Sequence, residues 1–328
     1  MRGWLLNKTD AGEITSHLGD VDETDLPTGE VTFAVSHSTI NYKDGLAFTG
    51  RMPVVRSYPM VPGIDGVGVI TQSHDEGQNV GDHVIVNGWG LGETRWGCLA
   101  EKARVAAHMT IPLPNGITPL EAMTVGTAGY TAMLCVQRLL RHGLKPSDGP
   151  IAVTGASGGV GSFAIMFLSS LGFEAVAITG KLSESDYLIS LGASDVRDRG
   201  DFGGKFKPME RETWAGAIDS VGSNTLAHLL AATKADGCVA ACGNARGMDL
   251  TTTVFPFILR GITLAGVDSV MIDHARRLEA WAAIADHLDR KKLNLIGSEI
   301  VTLEGAKDKA HEILEGSLRG RVVVDING

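Results

Sequence analysis

The sequence predicts an α/β protein in which a doubly wound parallel sheet is inserted into a second, mostly antiparallel β domain. In the first third of the chain, short strand-like runs are separated by Gly, Pro and Asp turns. From about Gly149, strand-like runs alternate with helical segments, which is typical of parallel strands joined by crossover helices. The last strand-like run, residues 321–326, again resembles the first part, so both ends of the chain are expected to form one domain.

The individual elements are predicted as follows. Strand-like runs of a barrel-like first domain lie at 30–35, 66–70 and 83–86. A helix at about 119–141 leads to the parallel sheet, whose strands are predicted at 151–154, 174–178, 214–218, 237–241 and 262–266. Helices between or after these strands include 224–234, 274–288 and 306–315. A chain of 328 residues is long enough for two such domains.

A glycine turn separates the strand at Ile151 from an apolar helix. Its glycines are spaced Gly155-x-x-Gly158-x-x-Gly161, a relative of the G-x-G-x-x-G dinucleotide motif. Without Cβ atoms the backbone can approach phosphate groups closely, and unpaired N–H groups at the start of the helix point toward them. The turn therefore predicts a pyrophosphate site. Its expected lining residues are Ser157, Gly158, Gly159 and Val160.

The end of the next strand indicates which dinucleotide is bound. Thr179, Gly180 and Lys181 begin about 24 residues after Gly155, close to where NAD enzymes carry an acidic residue for the adenosine ribose. A carboxylate would repel a 2′-phosphate, whereas the Lys181 ammonium attracts it. Arg197, after the following strand-like segment, is expected to add a second cation. These residues predict NADPH rather than NADH as the cofactor.

Composition disfavours several classes of partner. The net charge is −9 with no basic cluster, which argues against nucleic acid and anionic membrane surfaces. The four cysteines show no metal-site spacing, so reduced thiols and a cytoplasmic location are expected. The N-terminus lacks the apolar run of a signal peptide, and no stretch approaches the ~20 apolar residues of a membrane span.

Several motifs resemble those of one protein family. They are Asn41-Tyr-Lys-Asp44, Pro62-Gly-Ile-Asp-Gly-Val-Gly68, Val125-Gly-Thr-Ala-Gly129, Ala156-Ser-Gly-Gly-Val-Gly161, Asp219-Ser-Val-Gly222, Gly266-Val-Asp-Ser-Val270 and Gly320-Arg-Val-Val-Val324. Over essentially its whole length the chain resembles the medium-chain dehydrogenase/reductase superfamily, in its zinc-independent quinone oxidoreductase-like branch and the acryloyl-CoA reductase (NADPH) subgroup. The resemblance implies a GroES-like β-barrel catalytic domain at 1–122, with 292–328 returning to it, and an NADPH-binding Rossmann domain at 123–291.

The same resemblance argues against zinc chemistry. Zinc-dependent relatives ligate the metal through a Cys and a Gly-His-Glu segment, whereas this chain has Gly63-Ile-Asp65, and isoleucine cannot ligate zinc. The sequence also lacks the four closely spaced cysteines of a structural zinc lobe. Reduction of a conjugated double bond is then favoured over alcohol oxidation, because the substrate carbonyl can take up charge as an enolate without a Lewis acid. The resemblance thus implies hydride transfer from NADPH to the β-carbon of acryloyl-CoA, giving propanoyl-CoA.

The resemblance also implies roles for residues outside the glycine turn. Tyr42 is the leading catalytic candidate, as a ribose ligand or proton donor beside the nicotinamide, and Asn41 is expected to shape the turn or to bind cofactor or substrate. Asp65 is expected to have a structural hydrogen-bonding role. Further cofactor contacts are expected at the carboxyl ends of the parallel strands and near the C-terminus. They are Ser220, Val221, Gly243, Leu264, Val267 and Asn327.

Two other functions fit the same sequence. One is a quinone or enone reductase that uses the same hydride chemistry, and the other is a non-catalytic NADPH-binding protein. A CoA thioester carries phosphates, so its pocket should be locally basic. The candidate ligands for those phosphates are Arg51, Arg56, Arg95 and Arg246. The apolar segment 262–270 predicts a sheet edge that tends to pair, so a homodimer is expected.

Overall fold

The computed structural model describes the backbone of all 328 residues and every side chain except that of Ser298. The chain divides into two compact units. The first, the mixed-sheet unit, comprises Met1–Thr127, Val270–Ala285 and Gly297–Gly328. The second, the parallel-sheet unit, comprises Ala128–Ser269 and Asp286–Ile296. The two units differ in how their strands pair, and each is described by itself below.

The strands are numbered in chain order. They are β1 (Arg2–Lys8), β2 (Ile14–Asp20), β3 (Val31–Thr39), β4 (Asp65–Ser73), β5 (His83–Asn87), β6 (Lys102–Val105), β7 (Ile111–Pro112), β8 (Ile151–Thr154), β9 (Ala175–Thr179), β10 (Ala193–Asp198), β11 (Trp214–Asp219), β12 (Thr233–Ala241), β13 (Thr263–Gly266), β14 (Gly297–Thr302) and β15 (Arg321–Asp325).

The helices are numbered in the same way. They are α1 (Tyr42–Thr49), α2 (Pro119–His142), α3 (Gly159–Ser170), α4 (Ser185–Ser190), α5 (Ser223–Ala232), α6 (Phe255–Arg260), α7 (His274–His287), α8 (Arg290–Ile296) and α9 (Ala306–Glu315). Among these described helices, none combines the length and the hydrophobicity needed to cross a bilayer.

The mixed-sheet unit has a mostly antiparallel sheet of order β14-β15-β3-β4-β5-β7, in which β6 also pairs with β3. The last strand, β15, runs antiparallel to β3, with Val323 opposite Thr39. This pairing confirms that the C-terminal strand joins the sheet built from the first part of the chain. The strands pack around buried apolar side chains such as Phe33, Val35 and Ile70. Strands β1 and β2 form a separate antiparallel pair.

The parallel-sheet unit has strand order β10-β9-β8-β11-β12-β13, and every neighbouring pair is parallel. All residues of β8 and β9 are buried, as expected for a parallel sheet that is covered on both faces. The order confirms the predicted doubly wound Rossmann topology. The helix predicted at 224–234 ends earlier, at Ala232, because β12 already begins at Thr233.

Helix α2 is interrupted at Gly126, whose backbone (φ 46°, ψ −159°) is not helical. A side chain could not occupy this position, because an ideal Cβ would lie 2.8 Å from Thr39 Cγ2 and 2.9 Å from both Arg321 Nη2 and Asp65 Oδ2. The break therefore needs a glycine for its positive φ and for its close contacts. It brings the backbone of Thr127 against a buried carboxylate, where the candidate site begins.

Candidate active site

The motif Asn41–Asp44 forms the first turn of α1, and Asp44 holds this turn in place. Its Oδ2 accepts a hydrogen bond from the Asn41 backbone N–H at 2.8 Å. Its Oδ1 accepts from the backbone N–H groups of Gly63 and Ile64 at 3.1 and 3.2 Å. One buried carboxylate thus joins the start of α1 to the turn before β4. Asp44 therefore caps the first turn of α1.

Asp65, the first residue of β4, holds the other side of Asn41. Its Oδ2 accepts from Asn41 Nδ2 at 2.8 Å and from the Thr127 backbone N–H at 2.9 Å. Its Oδ1 accepts from Thr127 Oγ1 at 2.6 Å. The Arg321 guanidinium supplies the countercharge, with Nη2 at 3.9 Å from Oδ2. Asp65 is fully buried, and both of its carboxylate oxygens accept hydrogen bonds from other residues of the protein, as expected for a structural role.

The two carboxyl groups lie in one buried region and affect each other. Burial raises the pKa of Asp44 to about 7, against the opposing effect of the Asn41 backbone N–H, and the charge of Asp65 raises it further. Burial also raises the pKa of Asp65, while Arg321 and the Thr127 hydrogen bonds oppose this shift. The hydrogen bonds and the arginine therefore decide whether this region can hold two negative charges.

Tyr42 is the first residue of α1, and 44% of its surface is exposed. An exposed aromatic ring with a hydroxyl can contact a ligand without moving the helix. The neighbouring Asn41 is buried, and its amide nitrogen donates to Asp65 and, at 3.3 Å, to the Thr39 carbonyl. Lys43 pairs with Glu93 at 2.7 Å and does not pair with Asp44. Asn41 is thus held firmly, while Tyr42 is presented to solvent.

Ile64 lies between the two anchored segments, at the position that the family resemblance aligns with a zinc-ligating histidine. Its backbone N–H is bonded to Asp44, and its hydrocarbon side chain is buried. A side chain without a lone pair cannot contribute to a metal site. The chain therefore uses this segment for packing and for backbone hydrogen bonding.

In the parallel-sheet unit, the glycine turn joins β8 directly to α3. Gly155 has a φ of 60°, and a Cβ there would lie 2.5 Å from Ser220 Oγ. A Cβ at Gly161 would collide with the Gly155 carbonyl oxygen. Gly158 is the N-cap of α3 and has no side chain to cap the helix, so the first N–H groups remain available to an anion. This cradle fits the pyrophosphate of a dinucleotide.

Asp219, the last residue of β11, fixes the edge of the sheet beside this turn. Its Oδ1 accepts from Thr154 Oγ1 at 2.7 Å, and its Oδ2 accepts from the Gly222 backbone N–H at 2.8 Å. The Ser220 backbone N–H in turn donates to Thr154 Oγ1 at 3.1 Å. Burial raises the pKa of Asp219, and these hydrogen bonds oppose the rise. The carboxyl ends of β8 and β11 are therefore held together, with Ser220 and Val221 at the edge.

The next two strands end at the same edge. A Cβ at Gly243 would lie 2.5 Å from the Ser220 carbonyl oxygen, so this position needs a glycine. The Val267 backbone N–H donates to the Ala241 carbonyl at 2.9 Å. Leu264 lies within β13, opposite Val239 of β12. The structure therefore brings Gly243 against Ser220. It places Val267, which directly follows β13, against the last residue of β12.

The predicted adenosine end of the site lies at the end of β9. The hydroxyls of Ser157 and Thr179 are 3.3 Å apart, and Thr179 Oγ1 also accepts from the Lys181 backbone N–H at 3.1 Å. Both hydroxyl residues are buried, whereas Gly180 is exposed. The structure thus brings the glycine turn and the Thr179–Lys181 segment together, which sequence spacing alone only suggested.

The predicted second cation, Arg197, already has partners within the protein. The Arg197 guanidinium stacks over Trp214 at 5.0 Å and pairs with Asp195 at 3.0 Å. Arg199 lies at Gly180 instead, since a Cβ on that glycine would be 2.5 Å from Arg199 Nη2. Partial burial and the nearby charge of Arg246 lower the pKa of Arg199. The geometry favours Arg199 over Arg197 as the cation at the adenosine end.

The observed bounds of β10 distinguish the two arginines. Arg197 still belongs to β10, whereas Arg199 follows the last strand residue, Asp198, and so leaves the sheet at its carboxyl edge. Ligands of open α/β sheets bind at that edge, and this position favours Arg199 for the proposed contact with the 2′-phosphate. Arg246 enters the same region through the loop after β12, where its backbone N–H donates to the Val221 carbonyl at 2.9 Å.

Asn327 lies in the mixed-sheet unit, directly after β15. Its backbone N–H donates to Asp325 Oδ1 at 3.0 Å, and its side-chain Nδ2 approaches the Val35 carbonyl at 3.5 Å. These contacts attach the C-terminal residues to β3. Its proposed contact with cofactor stays a prediction.

Family models match both parts of the chain. The model described as the alcohol dehydrogenase GroES-like domain matches residues 27–115. The model described as zinc-binding dehydrogenase matches residues 159–286. The first range lies in the mixed-sheet unit, and the second covers the glycine turn and most of the parallel sheet.

Known proteins resemble the chain over its whole length. The acrylyl-CoA reductase AcuI of Ruegeria pomeroyi is 47% identical over 97% of this chain and 96% of its own length. The putative quinone oxidoreductase YhfP of Bacillus subtilis is 40% identical over 98% of both chains. The crystal structure of the YhdH oxidoreductase from Salmonella enterica in complex with NADP superposes with a TM-score of 0.97, at 45% identity over 99% of this chain and 100% of that one. The chain belongs to the medium-chain dehydrogenase/reductase superfamily, in the zinc-independent quinone oxidoreductase-like branch that includes the acrylyl-CoA reductases.

Proposed function

We propose that this chain is an NADPH-dependent acryloyl-CoA reductase that converts acryloyl-CoA to propanoyl-CoA. The main support is full-length similarity at 46–47% identity to two proteins named acrylyl-CoA reductase or probable acrylyl-CoA reductase. Two crystal structures, of proteins with bound NADP and NADPH, have the same fold as this chain, with TM-scores of 0.97 and 0.96. The cradle at Gly158 and the cation at Gly180 supply the binding groups that such a cofactor needs. A cytoplasmic location is part of this proposal and can be checked by cell fractionation.

Different residues of the chain are assigned to different parts of the cofactor. When bound, NADPH supplies the hydride that is added to the β-carbon of the acryloyl thioester. The first N–H groups of α3 bind the pyrophosphate. Ser220, Val221, Gly243 and Val267 border the site at the carboxyl edge of the sheet, and Leu264 is assigned to it from within β13. Lys181 and Arg199 neutralise the 2′-phosphate. Each of these groups positions the cofactor and stabilises its charge.

Two residues of the mixed-sheet unit are assigned to the substrate and the nicotinamide end. Asp44 and Asp65 hold Asn41, and its Nδ2 donates both hydrogens to Asp65 and Thr39, so the atom left to bind cofactor or substrate is Oδ1, which accepts a hydrogen bond. Tyr42 presents a hydroxyl that orients the ribose or donates the α-carbon proton. Charge develops on the thioester oxygen during hydride addition, and one well-placed donor to such an oxyanion stabilises it by about 3–4 kcal/mol.

The substrate class can be tested directly. We expect purified protein to oxidise NADPH fastest with acryloyl-CoA, more slowly with crotonyl-CoA, and least with simple enones and quinones. The measurement is the loss of NADPH absorbance over this substrate panel at matched concentrations. Turnover of small quinones without acryloyl-CoA activity would identify a quinone reductase instead, a function that the similarity to YhfP also supports. Tight NADPH binding without turnover of any acceptor would indicate a binding protein.

The role of Tyr42 is tested by removing one oxygen atom. We expect Tyr42→Phe to lower kcat with acryloyl-CoA about 10- to 100-fold, because a lost donor or proton source acts mainly in the transition state. Stability should not change, since the side chain is exposed. Tyr58→Phe, at a partly buried tyrosine outside the motif, is the matched control. Equal activity of Tyr42→Phe and wild type would remove Tyr42 from the mechanism.

The cofactor preference is tested with neighbouring arginines. We expect Arg199→Ala to weaken NADPH binding about 10- to 100-fold with little change for NADH, because only NADPH carries the 2′-phosphate. Arg197→Ala is the matched control and should leave both affinities within about twofold, since this side chain pairs with Asp195 and Trp214. Fluorescence titration of both nucleotides gives the answer. Losses of equal size for NADPH and NADH in Arg199→Ala would rule out the 2′-phosphate role.

We also propose a homodimer that forms through the free edge of the parallel sheet. Strand β13 is the last in the sheet order, so one of its edges is open for pairing with a second copy. The preceding helix α6 exposes large apolar side chains, with Ile258 at 68% and Leu259 at 64% exposed. Exposed apolar groups next to an open strand edge are typical of an interface between identical subunits.

The dimer predicts a charge-sensitive surface. We expect Leu259→Glu to shift the protein toward monomer, because a carboxylate would have to be buried without a partner at the interface. Light scattering coupled to size-exclusion chromatography measures the mass. Leu140→Glu, at another exposed leucine, is the control and should keep the wild-type mass. A monomeric wild-type protein would contradict the proposal outright.

A further inference from the structure

A pocket of about 610 Å³ lies in the mixed-sheet unit at the opposite end of α1 from Tyr42. Its walls come from β2, from the end of α1 with the turn that follows, and from α9. The polar lining residues are Thr15, Ser16, Thr49, Arg51, Lys307 and His311. The apolar part of the lining is supplied by Ile14 and Phe48. Hydroxyls, basic side chains and a small apolar surface therefore meet in one concave site.

The charge of this pocket has one sign. Lys307 and His311 are four residues apart on α9 and share one face of the helix, and Arg51 comes from the turn after α1. Within the part of the chain that the structure describes, no carboxylate lies at ion-pair distance from these three side chains. By contrast, Lys309 on the same helix pairs with both Glu299 and Glu312. In a chain of net charge −9, such a carboxylate-free cluster is suited to an anion.

The walls of the pocket are held in a fixed arrangement. Gly50 ends α1 with a φ of 64°, and a Cβ there would lie 2.7 Å from Ile14 Cγ1, so the turn packs closely on β2. A Cβ at Gly45 would lie 2.5 Å from the Ala310 carbonyl oxygen, so α1 and α9 also pack closely. Arg51 and Lys307 are thus carried by elements that cannot easily separate. The fixed backbone keeps the two cations near each other, so only their side chains have to be ordered when an anion binds.

We propose that this pocket binds the phosphate groups at the nucleotide end of the coenzyme A substrate. The inference rests on the proposed function, because it assigns a site to one part of that substrate. Coenzyme A carries a 3′-phosphate and a diphosphate, and its pantetheine arm separates them from the thioester. Tyr42 and Thr49 lie at opposite ends of α1, about 10 Å apart at ~1.5 Å per residue. An extended pantetheine arm is longer than this distance, so its length is sufficient to join the two ends of the helix, although residues 44–48 between them are buried.

The test compares two thioesters that share the reacting group. Acryloyl-CoA carries the phosphates, and acryloyl-pantetheine lacks the nucleotide. We expect Arg51→Ala and Lys307→Ala each to raise KM for acryloyl-CoA about tenfold, with kcat unchanged and with no change in either constant for acryloyl-pantetheine. The effect on acryloyl-CoA should shrink as salt is added, because exposed charges are screened. Arg51→Lys, which keeps the charge, should recover most of the affinity.

The controls separate the possible failures. Lys205→Ala removes an exposed cation in the parallel-sheet unit and should leave KM and kcat unchanged for both substrates. Unchanged KM for acryloyl-CoA in both pocket variants, or an equal loss for both thioesters, would overturn the pocket assignment. If the wild type turns over neither thioester, the proposed function has failed. Calorimetry of coenzyme A with the NADP⁺-saturated protein then decides the pocket separately, because binding should weaken in Arg51→Ala and persist in Lys205→Ala.

Discussion

A single buried carboxylate, that of Asp65, organises the mixed-sheet unit around its candidate site. It joins β4 to the Asn41 amide, to the restart of α2 at Thr127 and to Arg321 of β15. These groups come from four distant parts of the sequence, and Asn41, Asp65 and Arg321 are buried, so water cannot readily replace their partners. Loss of one partner from a buried charge pair typically costs ~3–5 kcal/mol, so the cluster behaves as one unit. Gly126 belongs to it as well, since a side chain there would displace the arginine.

In the parallel-sheet unit, a second buried carboxylate has the same role. Asp219 ends β11 with its carboxylate turned toward Thr154 and the Gly222 N–H, so two neighbouring strands end in register. With these ends fixed, Gly155 can pass close to Ser220, and α3 can start with open N–H groups. In both units, therefore, a buried carboxylate fixes the backbone of a site through hydrogen bonds. The reaction itself is assigned to other groups. Neither acid has to change its protonation state or transfer a proton in the proposed reaction.

The distribution of cations explains how an acidic chain can bind ligands that carry several phosphates. The overall charge of −9 keeps nonspecific polyanions away. Local exceptions occur where acidic partners are missing or weak, as at Arg199 beside Arg246 and at Arg51 with Lys307. Elsewhere, basic side chains such as Lys43 and Lys102 are neutralised by glutamates. The cations proposed to bind phosphate are thus confined to a few positions, an arrangement that would favour nucleotide cofactors and coenzyme A thioesters over larger anions.

The sequence by itself determined the architecture and the location of the cofactor turn. Alternation of strands and helices predicted the parallel sheet, and the spacing of Gly155, Gly158 and Gly161 predicted the cradle, because both patterns follow from local backbone geometry. The last strand, β15, was also recognised as part of the first sheet. The contact partners of individual side chains were determined only by the tertiary structure. Lys43 meets Glu93, Arg197 stacks on Trp214, and Arg199 reaches Gly180, since pairing between distant residues depends on packing that periodicity does not encode.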